Sequence, residues 1–261
     1  MRMTIKPINE NSLIENWFFN KVWSYRRFNK AMCQALDNRI VAGFAKGMKY
    51  VSSVPWTRLI VNRLVGTYEM ELLPFFQSFD SNPPKNIFDI GAAEGYYAIG
   101  SLVRWKNAEV LAWETDEKAA NILQKLALEN KVSERLQTQK TCTVNLLKQS
   151  LKALQPELII MDIEGAESEI CVSGVIELGR NSSWVIECHS REILEKLQQR
   201  FQNTHQIEII PNRNLSLEDV KVKLPWLFTL FPQDRWRIVR EGRVIATPWL
   251  IARPKSKKPT L

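Results

Sequence analysis

The sequence predicts a doubly wound α/β protein on a mostly parallel, seven-stranded sheet, preceded by an N-terminal helical extension. Three observations carry this prediction. Short, nearly continuous apolar runs (IFDI, VLAW, LIIM, WVIE) recur between stretches of helical periodicity. Strands apolar on both faces belong to parallel sheets that helices cover on each side. The first run leads straight into a glycine-bearing turn, Asp89-Ile90-Gly91-Ala92-Ala93-Glu94-Gly95, and then into a helical pattern. Finally, the runs close on Asp89, Glu114, Asp162 and Glu187. In an open α/β sheet this sets a row of carboxylates where ligands bind. Carboxylates near a core are costly without partners, so packing alone does not account for the row.

Taken in order, residues 12–65 read as mostly helical. Ser12 suits an N-cap, and Leu13, Trp17, Val22, Tyr25, Phe28, Met32 and Leu36 recur at intervals of three to five residues. Gly66 and then Pro83-Pro84 break the rhythm. Asn86–Ile90 is the first strand, with a helix over 95–105 and a second strand over 109–114. Thr115 can cap the next helix, where Asp116 and Glu117 complement the dipole and Ala119, Ile122, Leu123, Leu126 and Ala127 share a face. Strands follow at Leu158–Asp162 and Trp184–Glu187, then a charged amphipathic helix over 191–202 and a strand at Gln206–Ile210. Residues 212–246 have no period and read as an irregular insertion before a last strand at Trp249–Ala252. The organisation is therefore a helical extension over 1–65, an α/β domain over 66–254 and a basic tail over 255–261.

Composition excludes several classes. With 45% hydrophobic and 25% charged residues among 261, the chain has the balance of an ordinary folded domain rather than a disordered one. No apolar run approaches the roughly 18 to 20 residues of a membrane span. Arg2 and Lys6 are not followed by the apolar stretch of a secretory signal. Cys33, Cys142, Cys171 and Cys188 form no C-x-x-C pair. That argues against a zinc ribbon or a disulfide framework and for a reducing, cytoplasmic compartment. The net charge of +8 admits two readings, attraction to nucleic acid, anionic lipid or a phosphorylated substrate, or a solvated basic surface. The segment Trp17–Lys30 interleaves aromatic and basic residues. Such a segment can stack on RNA, lie on an anionic membrane or pack its aromatics on the core.

The chemistry concentrates at the strand ends. Gly91 and Gly95 let the backbone turn sharply and approach a ligand. Ala93 stands where a dinucleotide fingerprint carries its middle glycine, and Glu94 sets a negative charge where a pyrophosphate would lie. The turn therefore suits a ligand without phosphate. Glu114 follows Gly91 by 23 residues, the position from which an acid accepts hydrogen bonds from both ribose hydroxyls. A solvated strand end or a helix cap is the plainer use of the same carboxylate.

The runs IFDIGAAEGYYAIG, AWETD, IIMDIEGAESEI and WVIECH resemble the FkbM-type S-adenosylmethionine-dependent methyltransferases, a branch of the Rossmann-like class I fold. The likeness extends from about Gly66 to His189, and Gly66-Thr67-Tyr68-Glu69 is similar to a G-x-Y-E element of that family. The resemblance implies that Asp89, Gly91, Ala93, Glu94 and Gly95 surround the methionine half of the cofactor. It implies that Glu114 holds the ribose, that Asp116 or the helix start beside it borders the adenine, and that Tyr68 and Glu69 close over the cofactor. Asp162 would face the methyl-transfer centre. The acceptor implied is a hydroxyl on a sugar, glycan or secondary metabolite, and a base that removes its proton would come from Asp162, Glu164, Glu187 and His189. Asp162 could instead orient the cofactor, and Glu164 could cap the next helix. The same four residues suit Mg²⁺ or Mn²⁺, but only one of them is a histidine and the sequence by itself assigns no metal. His205 reads as structural. RNA modification and a non-catalytic binding or membrane-peripheral module remain open beside the enzyme, and acceptor choice falls to residues 1–60 and 212–246.

Overall fold

The computed structural model describes residues 25–50, 60–220, 236–239 and 247–255, with side chains from Phe28 onward. Its centre is a seven-stranded sheet of order β3-β2-β1-β4-β5-β7-β6. The strands are β1 (Asn86–Ile90), β2 (Glu109–Trp113), β3 (Leu136–Gln139), β4 (Leu158–Met161), β5 (Ser183–Glu187), β6 (His205–Ile210) and β7 (Trp249–Pro254). The first five run parallel, and β7 lies antiparallel between β5 and β6. This is the doubly wound, mostly parallel, seven-stranded Rossmann-like architecture that the sequence predicts.

Central position follows from apolar content. Every residue of β4 and β5 is buried, whereas β3, with sequence LQTQ, is mostly exposed and takes an edge. That edge strand carries too weak an apolar signal to be read from sequence; the helix after it, VNLLKQSLKAL, buries Leu147 and Leu151 on one face, a periodic signal that the sequence reading did not use. The helices are α1 (Tyr25–Ala35), α2 (Ile60–Val65), α3 (Leu73–Gln77), α4 (Tyr96–Arg104), α5 (Glu117–Glu129), α6 (Val144–Leu154), α7 (Glu167–Ile170), α8 (Ser173–Leu178) and α9 (Arg191–Phe201). Alternation along β1 sends Ile87 to one layer and Phe88 and Ile90 to the other. The Ile87 layer is filled by α4, α5 and residues of α1 to α3, the Phe88 layer by α6, α8 and α9.

The expectation of helix over 12–65 holds, among the described residues, for 25–35 and 60–65. Between them Asp37 and Asn38 adopt left-handed φ of 50° and 53°, which ends α1, and the chain then folds through turns joined by an Arg39–Lys49 bridge. This region shares one core with the sheet layer: the Phe44 ring lies 4.2 to 6.1 Å from those of Phe76, Tyr96, Tyr97 and Trp105. The segment Trp17–Lys30 is described only from Tyr25, and there Phe28 and Met32 are buried in that core. Of the irregular stretch 212–246, residues 212–220 and 236–239 are described, and in the latter Trp236 is exposed while Ile238 packs inward. Ile238 is buried, and its carbonyl accepts hydrogen bonds from Asn62 Nδ2 at 2.8 Å and from the Thr67 hydroxyl. The α5 cap is Asp116 rather than Thr115, because the Asp116 carboxylate accepts N–H bonds from Lys118 and Ala119 at 2.8 and 2.9 Å. Among the described residues no helix is long and apolar enough to cross a membrane.

Candidate cofactor and transfer site

Strands β2, β1, β4 and β5 are neighbours, so the four carboxylates of the sequence row lie along one sheet edge. The turn after β1 is bound to its neighbours on both sides. The N–H groups of Gly91 and Ala92 donate to the Trp113 carbonyl at 3.0 and 2.9 Å, and the Asp162 N–H donates to the Ile90 carbonyl at 2.9 Å. Gly91 has φ +86°, and a Cβ there would sit 1.7 Å from the Asp162 carbonyl oxygen. Glycine is required by both the conformation and the close passage of β4. Gly95 opens α4. Ala93 is also left-handed, at φ 48°, which turns its N–H to Glu114. Glu114 Oε2 accepts from Ala93 N and Oε1 from Asp116 N, each at 2.7 Å. Both carboxylate oxygens are thereby fixed, and each keeps a lone pair for a further donor.

These residues border a cavity of about 360 Å³, walled by Gly91, Ala93, Glu114, Thr115, Asp162 and Glu164 together with Trp113, Cys142, Ile163 and Ile170. Its size is that of a small-molecule site. Asp116, expected near the adenine, is not on this wall, since its side chain is turned into the α5 cap and Thr115 lines the cavity instead. Asp89 lies behind the wall, 2% exposed, and its Oδ2 has no hydrogen-bond partner. Burial pushes its carboxyl up to about 7, against the pull of the Ala98 N–H, with the Glu114 charge adding to the rise. Glu94 is buried and paired with Arg63, whose guanidinium lies 4.6 and 5.4 Å from the Tyr68 and Tyr96 ring centroids. Glu69 is buried with left-handed φ of 46° and accepts a hydrogen bond from the Tyr97 hydroxyl.

Past the cavity wall the β4 and β5 ends meet. His189 Nδ1 lies 2.8 Å from Glu167 Oε1, and Nε2 lies 3.5 Å from Asp162 Oδ1 and 3.4 Å from Glu164 Oε2. Glu167 is fully buried, and the same Oε1 accepts N–H bonds from Ile163 and Gly165 at 3.3 and 3.0 Å. Burial raises its pKa, but the bonds from His189 and the Gly165 N–H outweigh this and hold it below the usual carboxylate range. The Glu167 bond raises His189, and burial beside Glu187 and Glu69 raises Asp162. Glu187 is buried and accepts from the Thr247 hydroxyl. The geometry thus brings Asp162, Glu164 and His189 together, with Glu187 and Glu69 close enough to act on Asp162. His205 is buried between the Thr204 hydroxyl and the Ser182 carbonyl, at 2.7 and 3.0 Å, as a structural side chain would be.

Sequence reading met Glu167 only as part of the IIMDIEGAESEI resemblance, with no role of its own, and passed over Arg63 and Thr247. Arg63 leaves a trace, a lone cation within the apolar run IVNRLV, and Glu167 one in its place in the D-x-E-G-x-E run; Thr247 leaves none without the fold, because its partner is distant in the chain.

Asp89 gives the first testable consequence. Between about pH 4, where the unfolded carboxyl ionises, and about pH 7 the folded protein keeps this proton and the unfolded chain does not. Stability therefore falls as pH rises through that window. Asp89→Asn should remove this contribution, gaining on wild type by roughly 2 to 4 kcal/mol between pH 5 and pH 8. Denaturant midpoints at both pH values measure it, and parallel curves for the two proteins would refute the buried, protonated Asp89.

No family model matches the chain, and no curated protein matches it. Solved structures do. An O-methyltransferase from Bacillus cereus in complex with SAH is 11% identical with a TM-score of 0.47, over 93% of this chain and 97% of that one. A SAM-dependent O-methyltransferase from Thermotoga maritima is 11% identical with a TM-score of 0.43, over 70% of this chain and 64% of that one. A chain of a fibrillarin/Nop5p complex is 12% identical with a TM-score of 0.43, over 66% and 73%. At such identities and scores these likenesses carry no argument about activity, and the chemistry rests on the site itself.

Proposed function

We propose that this chain is an S-adenosylmethionine-dependent methyltransferase of the FkbM type, acting on a hydroxyl of a sugar, glycan or secondary metabolite. The observation that carries the reading is Glu114. Its carboxylate is anchored through both oxygens at the end of β2, on the wall of a cavity that also meets the β1 turn. A carboxylate so placed accepts both hydroxyls of a ribose. The remaining donors and acceptors fit the cofactor as well. Asp162 Oδ1, on a residue of the cavity wall, is a buried atom without a hydrogen-bond partner, which suits a ligand with a cationic group. The Arg63 pair neutralises Glu94 inside the turn.

When bound, the cofactor supplies an electrophilic methyl group. The protein's part is alignment: Gly91, Ala93 and Glu114 fix one reactant, and the cavity holds the acceptor in line with it. The acceptor proton passes to the Asp162, Glu187 and His189 group at the β4 and β5 ends. Calorimetric titration with S-adenosylmethionine and S-adenosylhomocysteine, followed by a panel of hydroxylated acceptors, tests the reading. Binding of both and turnover of at least one acceptor are expected. A folded wild type that binds neither, with or without acceptors present, would overturn it.

A further inference from the structure

We propose that Asp162, Glu164 and His189 form a binding site for one divalent cation of the Mg²⁺ or Mn²⁺ class. One ligand atom from each residue lies within 4.8 Å of the other two, and His189 Nε2 is 3.4 and 3.5 Å from the two carboxylate oxygens. Cis ligands of an octahedral ion with bonds near 2.1 Å stand about 3 Å apart, so closure needs only side-chain adjustment.

The imidazole separates this group from an ordinary acidic cluster. Glu167 Oε1 accepts a hydrogen bond from His189 Nδ1 while it also accepts two backbone N–H bonds, and the residue is fully buried. The proton of a neutral His189 is thereby fixed on Nδ1, and the Nε2 lone pair faces Asp162 and Glu164. A buried carboxylate behind the imidazole, orienting its free nitrogen, is the arrangement that metal-ligating histidines use. Asp162 Oδ1, 3.5 Å from Nε2, is a buried atom and has no hydrogen-bond partner.

Charge points the same way. Asp162, Glu164 and Glu167 all meet one imidazole, and Glu187 acts on Asp162 from β5. Lys140, which lines the same cavity, is drawn away by Glu117 at 2.8 Å. Even a protonated His189 leaves this group with a surplus of negative charge, which a divalent cation would offset.

Asp162 and Glu164 face the cavity, so the ion would stand at the wall where an acceptor hydroxyl approaches. There it would lower the hydroxyl pKa, and His189 would serve as a ligand rather than a free base. This consequence rests on the methyltransferase reading; the binding itself does not.

The test is Mn²⁺ binding to EDTA-stripped full-length protein, read by electron paramagnetic resonance and by calorimetry, with Mg²⁺ as competitor. Wild type should bind one Mn²⁺ that Mg²⁺ displaces. Asp162→Asn and His189→Ala should each weaken it at least tenfold, and Glu167→Gln by 10- to 100-fold. Glu164→Gln, at a side chain 88% exposed, cannot disturb the core and should also weaken it tenfold or more. Glu114→Ala should keep the ion while losing S-adenosylhomocysteine, which separates failure of this site from failure of the cofactor reading. No Mn²⁺ bound by folded wild type, or equal binding by wild type and Glu164→Gln, would overturn the proposal.

Discussion

Glu114→Ala should lose S-adenosylhomocysteine binding by 100-fold or more while leaving a folded protein. The carboxylate closes two backbone N–H groups, Ala93 and Asp116, each at 2.7 Å, and it is the proposed partner of the ribose hydroxyls. Hydrogen bonds to a charged acceptor contribute about 1.5 to 3 kcal/mol each. Losing two on the ligand would exceed the roughly 2.7 kcal/mol that a 100-fold change represents. The loss also frees Ala93 from the left-handed conformation at φ 48° that aims its N–H at Glu114, so the turn loses its shape as well as its acceptor. The fold should survive, because α5 keeps its own cap through Asp116 and the Glu114 side chain is not in the core. Glu114→Gln keeps one acceptor oxygen but no charge and should fall between the two, at about tenfold. Calorimetry on the three proteins measures the series. An alanine variant within threefold of wild type would remove Glu114 from the ribose role and leave it as a turn brace alone.

How much of this was legible in the sequence depends on whether a residue's role is local. The strands β1, β2, β4 and β5 are legible because burial on both faces demands unbroken apolar runs, and the turn after β1 because glycine and its neighbours stand together in the chain. The strand β3 is not, since at an exposed edge LQTQ needs no apolar pattern and backbone pairing to β2 alone defines it. Nor is the passage over 36–50, where two left-handed non-glycine residues, Asp37 and Asn38, end a helix that periodicity would have continued. The same division runs through the site. Glu114 is found by its distance from Gly91, because strand, turn and helix lengths in the first βαβ unit are nearly fixed. Asp162 and His189 are found as strand ends, but that they meet is a fact of β4 pairing with β5. Glu167 stands in the run IIMDIEGAESEI that carries the family resemblance, but no role follows from that position, and only the fold shows its carboxylate buried against an imidazole 22 residues on.

Gly91→Ala should cost about 3 to 4 kcal/mol, the sum of a left-handed penalty near 1 kcal/mol and a steric one at the upper end for overpacking. The steric part dominates. A Cβ at this position would lie 1.7 Å from the Asp162 carbonyl oxygen and 2.7 Å from its carbon, both backbone atoms at the end of a central strand. Rotamer change cannot relieve such an overlap. Relief needs β1 and β4 to part, yet β1 is bonded to β2 on one side and β4 on the other, and β4 in turn to β5. Gly165→Ala supplies the control. It has a comparably left-handed φ of +110°, but nothing lies within 4 Å of the added methyl, so only the conformational penalty remains. At about 2 to 4 °C per kcal/mol for a chain of this size, the Tm of Gly91→Ala should fall by roughly 10 °C, and that of Gly165→Ala by a few degrees. Thermal unfolding of both variants beside wild type decides it. Equal losses would mean that conformation alone selects glycine at position 91. A much larger loss at Gly91 would mean that it is selected by the passage of Asp162, the contact that brings the β4 end, with its proposed cation ligand, against the cofactor turn.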